Sequence, residues 1–402
     1  MGKKVFAKQQ WYICVLVIVL LLLSAMSWFN FGLDVLGLLT NNSTENGEGD
    51  IKTNGKAGET ATQGNHIESG VLKNITNLCD SLDSLINSVD LTWSVYENSS
   101  LSKMDSVATY LATGEVSSVQ VVGGSEGWLF YRTNKYGTDS IGDYEGTNLY
   151  SQQELDNIAQ DVISAQNELK KRGIKVEFFI PPNKENVYFE FMPDTYSHAD
   201  ISRSDKLIEY LKEKGVNIVS AKEELIKEHL TTPLYYKTDT HWNQLGAYIG
   251  VRKVLSELGI HIPELSDRIF TSKDLNGNYN CTYGAELSRM AGLQFAFKDD
   301  EVYEIEGCTR VDWQAYENEQ SEKGVSHFHN DNAKVKTSML LIGDSFRTMM
   351  IPPLGEQFED LYVISREEMS IQKIDEISPE YMIIEYVERY SGRLKDIGIL
   401  RD

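Results

Sequence analysis

The feature that most restricts this chain is a repeated exchange between short apolar strands and amphipathic helices. Ser151-Gln152-Gln153-Glu154 has the pattern of a capping box, in which serine and glutamate side chains satisfy free backbone N–H groups at a helix start. Behind it Leu155, Ile158, Val162, Ile163 and Leu169 recur at three-to-four spacing, and Gly173 ends the run. Val176–Ile180 reads as a buried strand stopped by Pro181-Pro182. A helix around Leu207–Leu211 ends at Gly215, and Val216–Val219 is a second strand. Helices over Glu223–Leu230 and Asn243–Leu258 follow. Met339–Ile342, Leu361–Ile364 and Tyr381–Tyr386 are three more apolar strands. Strands separated by helices are joined by crossovers, which give a mainly parallel sheet covered on both faces. The expected fold is α/β and three-layered, with ligands beyond the C-terminal ends of the strands. Hydrophobic residues at 41% of the chain suffice to bury such a sheet.

The rest of the chain divides around that domain. Lys3, Lys4 and Lys8 precede an uncharged run from Gln9 to Leu33, almost purely aliphatic between Ile13 and Leu23. About 20 such residues cross a bilayer as a helix, and flanking lysines stay on the cytoplasmic side. The expectation is a membrane anchor over 1–35 that places the rest outside the cell. A cleaved signal peptide is the rival, with Ala25-Met26-Ser27 as its small-residue site and Trp28 awkwardly after it. Residues 36–70, mostly polar, read as a flexible tether, and 71–116 as a helical stalk or domain cover. The ordered domain is expected over 117–402, opening with a hairpin of Ser118–Val122 and Trp128–Tyr131. Within it 261–335 breaks the rhythm and reads as a β-rich insertion. Cys281 and Cys308 are close enough in sequence to pair outside the cell, or stand as unpaired buried thiols; Cys14 and Cys79 complete the set. A formal charge of −22 argues against a nucleic-acid partner.

Two short motifs carry chemistry. In Leu340-Leu341-Ile342-Gly343-Asp344-Ser345-Phe346 an apolar strand runs into Gly-Asp-Ser and then a helix. That placement exposes a serine hydroxyl at the sheet edge and turns its N–H toward a developing oxyanion. The plainer reading is a strand-end turn whose Asp or Ser caps the next helix. In Asp239-Thr240-His241-Trp242-Asn243 an aspartate can orient a histidine that takes a proton from serine. The helix beginning near His241 should disfavour imidazolium and keep this base neutral.

Together, Asp239-Thr240-His241-Trp242 followed by Gly343-Asp344-Ser345-Phe346 resembles the SGNH-hydrolase-like family of the AlgX/AlgJ and DHHW type. Gly127-Trp128-Leu129-Phe130-Tyr131, Pro181-Pro182-Asn183-Lys184 and Ala285-Glu286-Leu287-Ser288-Arg289-Met290 are similar to the same family, so the resemblance spans Ser117 to the end. It implies an SGNH-like, flavodoxin-like sheet with the Asp/His block ahead of the serine block, a permuted order. It also implies O-acetylation of exported polysaccharide, with Ser345 as nucleophile, His241 as base, Asp239 as its orienter and no cofactor. A membrane-bound O-acyltransferase is the implied partner. Asn183, Trp242 and Phe346 are the candidates for oxyanion or substrate contacts. Trp128 reads as core rather than a sugar platform, and Glu385 and Arg389 as an ion pair at the fold's edge.

Two other classes stay open on sequence. His327-x-His329 with Asp239 and His241 would make a metal-dependent hydrolase, although solvated loop histidines are the plainer reading and no metal is expected. A non-catalytic, membrane-tethered polysaccharide-binding scaffold would keep the fold without the reaction. Esterase and transferase share an acyl-serine and are not separable by sequence.

Overall fold

The computed structural model describes residues 100–133, 138–274, 285–297, 300–309 and 324–400. The expected anchor, tether, and first part of the stalk lie outside these residues, as do Cys14, Cys79 and Cys281. Among the described residues no helix is long and apolar enough to cross a membrane. Helix α1 (Ser100–Thr113) comes first, then strands β1 (Val121–Gly123) and β2 (Leu129–Tyr131). Next are α2 (Ser140–Glu145), α3 (Gln152–Lys171), β3 (Lys175–Phe179), α4 (Arg203–Glu213) and β4 (Ile218–Val219). Then come α5 (Lys222–Glu228), α6 (Gln244–Glu257), β5 (Phe270–Asp274), α7 (Glu286–Met290), β6 (Glu301–Ile305) and β7 (Val325–His329). The chain closes with β8 (Val335–Gly343), α8 (Arg347–Gln357), β9 (Phe358–Ser365), α9 (Ile371–Ile377) and β10 (Tyr381–Glu385).

The central sheet has six strands in the order β4-β3-β10-β8-β9-β7. Every neighbouring pair is parallel except β7–β9. Local signals build its helices as read from sequence. Ser151 accepts from Glu154 N while Glu154 Oε2 accepts from Ser151 N, closing the capping box of α3. Gly173, at φ +77°, turns the chain out of that helix. The strands are apolar on both faces because both are covered. Met339, Leu341 and Ile383 pack with α6 and α8 on one side. Leu340, Ile342, Met382 and Ile384 pack with α3 and α4 on the other. The three-layer α/β architecture and mainly parallel sheet are as expected.

The insertion expected over 261–335 needs correction at its end. β5 and β6 do form a separate antiparallel hairpin. Val325–His329, however, is an edge strand of the main sheet, antiparallel to β9, and β8 already starts at Val335. Along this strand Ser326 is buried while His327 and His329 are exposed, so one of its faces is uncovered. Its polar composition therefore hid it. The antiparallel β1–β2 hairpin is present as expected. Val107 and Tyr110 of α1 pack on a small core of Val121, Leu129, Leu287 and Leu293.

Candidate active site

The order of the sheet sets the site. From β3 the chain moves outward to β4, and from β8 the other way to β9, with β10 between β3 and β8. The crevice at such a switch point opens beyond the C-terminal strand ends. Three segments leave those ends there: Pro181–Lys184 after β3, Asp344–Phe346 after β8 and Tyr386–Arg389 after β10.

The serine turn is pinned from below by buried carboxyl groups. A Cβ at Gly343 would run into Glu385 Oε2, so only glycine lets β8 and β10 approach this closely. Asp344 N donates to Glu385 Oε2 at 3.0 Å. Asp344 Oδ1 accepts from Phe346 N at 3.0 Å and its Oδ2 from Val387 N at 2.9 Å. Burial, followed by the Asp344 carboxylate, pushes the Glu385 carboxyl well above the ordinary range. That shift disfavours the charged form of Glu385 and makes it a poor charge partner for Arg389. The expected ion pair at the fold's edge is corrected, since both residues are buried against the site. Ser345 is left exposed between buried neighbours, just ahead of α8.

The Asp239–His241 loop lies directly over that serine. His241 Nε2 is 2.7 Å from Ser345 Oγ, and His241 Nδ1 is 2.6 Å from Asp239 Oδ1. A carboxylate oxygen only accepts, so Nδ1 carries the proton and Nε2 is left to accept from the serine hydroxyl. Asp239 Oδ1 also accepts from His241 N at 3.0 Å, and Oδ2 from Glu286 N at 3.3 Å. Burial disfavours the imidazolium, but the Asp239 charge and hydrogen bond outweigh it, so the His241 pKa is raised. Burial likewise opposes the Asp239 carboxylate, yet His241 and the backbone donors pull its pKa below the ordinary value. The expectation that the helix end keeps His241 from charging is thus corrected. Asn243, not His241, caps α6, and the carboxylate 2.6 Å away is closer than the helix.

Residues far apart in sequence hold this loop. Lys184, 2% exposed, points its Nζ at three backbone carbonyls: Asp239 at 2.6 Å, Tyr236 at 3.0 Å and Lys237 at 3.1 Å. Burial draws its pKa down to about 8. Asp300, beside β6, accepts from Lys237 N at 2.6 Å and from Thr238 N at 3.0 Å. Glu286 Oε2 accepts from Thr240 Oγ1 at 2.7 Å. Lys184 and Glu286 lie in the segments that resemble the family but carried no assigned role, and Asp300 carried no local signal.

The three secondary candidates are placed differently from expectation. Trp242 is fully buried and donates through Nε1 to Phe346 O at 3.0 Å, so it ties the two motifs together instead of facing substrate. Phe346 is also fully buried; its ring lies beneath His241, with centroids 5.1 Å apart. Asn183 is buried, with its amide nitrogen 3.4 Å from Asp143 Oδ2 and its carbonyl accepting from Arg389 Nη1 at 3.3 Å. Its donor is turned to a carboxylate, which does not suit an oxyanion contact. Arg389 sits over the Phe346 ring at 5.2 Å, bringing a buried guanidinium to the floor of the site. Trp128 is core, stacked on Tyr188 at 4.0 Å.

For metals, Asp239, His241 and Glu286 bring ligand atoms within 4.8 Å, as do His327, His329 and Asp360. These are two separate clusters. Asp360 pairs with Ser338 and Gly343 with Ser365, so the second cluster lies five residues, or roughly 16 Å, back along β8 and β9 from the serine edge. The metallohydrolase that would join His327 and His329 to Asp239 and His241 is therefore corrected. Cys308 is a free thiol whose Sγ–H points to Glu356 at 3.5 Å.

An α/β sheet presenting a Ser–His–Asp chain at its switch point defines the class: a protein built like the SGNH hydrolases, with the Asp/His block ahead of the serine. The chain belongs to the AlgX family, described as the SGNH hydrolase-like domain of the acetyltransferase AlgX, whose model matches residues 121–349. The curated proteins contain no match. Solved structures similar to this chain include Bacillus cereus PatB1 with a sulfonyl adduct, 14% identical at TM-score 0.47, covering 70% of this chain and 100% of that one. A DHHW family protein from Eubacterium siraeum is 16% identical at TM-score 0.44, with coverages of 69% and 97%. The O-acetyltransferase domain of Pseudomonas putida AlgJ is 15% identical at TM-score 0.42, with coverages of 69% and 98%.

Proposed function

We propose that this protein transfers acetyl groups onto the hydroxyls of a polysaccharide through an acyl-Ser345 intermediate. The observation that carries the reading is the continuous contact from Asp239 Oδ1 to His241 Nδ1 at 2.6 Å and from His241 Nε2 to Ser345 Oγ at 2.7 Å. Ser345 Oγ attacks the donor's acyl carbon, and its proton passes to His241 Nε2. Asp239 holds the imidazolium that forms. The tetrahedral oxyanion faces the positive start of α8. When it collapses, His241 returns the proton to the leaving oxygen, leaving acyl-Ser345. A sugar hydroxyl then attacks that ester, with His241 again as base; if water attacks instead, the outcome is esterase activity. The acetyltransferase description of the matched family supports acetyl as the transferred group; the motif resemblance to the polysaccharide O-acetylation family supports carbohydrate as the acceptor.

The lysines before the apolar run of residues 9–33 support a tethered, extracytoplasmic placement of the domain. There a membrane-bound O-acyltransferase would supply the acetyl group. The test is acetyl release from an activated ester, with mass spectrometry of the intact protein. A single acetyl adduct on Ser345, absent from Ser345→Ala, is expected. A Ser345→Ala protein that turns over like wild type would overturn the mechanism, and failure of wild-type Ser345 to label with a serine-directed fluorophosphonate would leave the scaffold reading in its place.

A further inference from the structure

A second cluster lies on the exposed face of the sheet edge, away from Ser345. His327 and His329 stand two apart on β7, so both side chains leave the same face. In the antiparallel register His329 lies opposite Asp360 of β9 and His327 opposite Tyr362. His327 Nε2 and His329 Nδ1 converge on one oxygen, Asp360 Oδ1, each at 2.8 Å. Outer contacts orient both rings. His329 Nε2 faces Asp331 Oδ1 at 3.1 Å, and the His327 ring stacks on Tyr362 with centroids 4.3 Å apart and planes within 5°. The proposed function uses none of these residues.

We propose that His327, His329 and Asp360 form a binding site for a divalent transition metal of the zinc type. Two imidazoles and a carboxylate are a donor set that Zn2+ favours over Mg2+ or Ca2+. Tetrahedral bonds of about 2.0–2.1 Å put ligand atoms about 3.3 Å apart, so the present 2.8 Å contacts need open by only about half an ångström. Asp331 supplies the outer carboxylate that commonly fixes a metal-bound histidine, leaving Nδ1 as the lone-pair donor. Both histidines give their lone pairs to the ion, so any proton they share with Asp360 is released on binding. The scaffold is two hydrogen-bonded strands, which hold ligands more firmly than a loop does. Water takes the remaining position, because both histidines are exposed. The bound ion would fasten the edge strand β7 to β9.

The test is calorimetric titration of the chelator-stripped full chain with zinc chloride at neutral pH. Wild type, His327→Ala/His329→Ala, Asp331→Asn and Glu286→Gln are compared. The expected result is a single tight equivalent in wild type and Glu286→Gln. It should be lost in the double variant and weakened about tenfold or more in Asp331→Asn. Acetyl-ester hydrolysis by the double variant should match wild type, which also shows that it folds. A double variant that binds zinc like wild type, or a wild type that binds none, overturns the proposal. Loss of the equivalent in Glu286→Gln alone would place the ion at the other cluster and overturn it equally.

Discussion

Replacing Asp239 by Asn is the sharpest test of the site, because the structure leaves the amide no good orientation. Asp239 Oδ1 accepts from both His241 Nδ1 and His241 N, and Oδ2 accepts from Glu286 N. If the amide oxygen keeps the histidine, its NH2 group faces the Glu286 N–H, donor against donor. If the amide flips, its NH2 group faces His241 Nδ1 and selects the tautomer with a proton on Nε2. That tautomer cannot accept the Ser345 proton across the 2.7 Å contact. Either way the carboxylate that stabilises the imidazolium is gone. Turnover should fall about 10³- to 10⁴-fold, the size seen for orienting aspartates in serine triads, equivalent to about 4–5.5 kcal/mol on the barrier. The pH dependence gives a second readout. In wild type the His241 pKa is raised, so activity should climb with pH through a value above the ordinary histidine pKa of about 6.5. Burial is less opposed in the variant, so that limb should move to lower pH even as the plateau drops. The assay is acetyl-ester hydrolysis from acid to mild base, with unfolding curves to confirm the fold. A variant within about tenfold of wild type and with an unmoved limb would refute the assignment.

Two further substitutions probe the supports. Lys184→Met keeps the apolar stem but removes the donor from three carbonyls; relief of the buried charge offsets part of the loss, so the fold should weaken by about 2–4 kcal/mol and turnover should fall. Equal melting temperature and turnover in wild type and variant would refute this role. Glu385→Gln should be tolerated, because burial already disfavours the charged carboxylate and the amide still accepts from Asp344 N. A carboxyl with a raised folded pKa costs stability as pH climbs above the unfolded value of about 4.3, so the variant should gain on wild type as pH rises past that value in denaturant unfolding. A gain that shrinks with pH would refute the raised Glu385 pKa.

The sequence by itself determined what local pattern controls. The helix start at Ser151 follows from capping chemistry within four residues. The apolar runs of β3, β8 and β10 could only be buried on both faces, which forced a layered sheet. The three residues that the fold brings into contact, Asp239, His241 and Ser345, were also singled out by sequence, because Asp-x-His and Gly-Asp-Ser each lie at a strand or helix end. Tertiary structure alone decided how these pieces are held and facing which way. Trp242 and Phe346 directly follow His241 and Ser345 in sequence, but adjacent residues leave a turn in opposite directions, and both point into the core. Lys184 after β3, Asp300 just before β6 and Glu286 in α7 grip one loop; no periodicity encodes contacts across 46 to 63 positions. The charge balance at His241 was likewise settled in three dimensions, because Coulomb attraction follows distance, and folding put a buried carboxylate nearer the imidazole than the end of the helix.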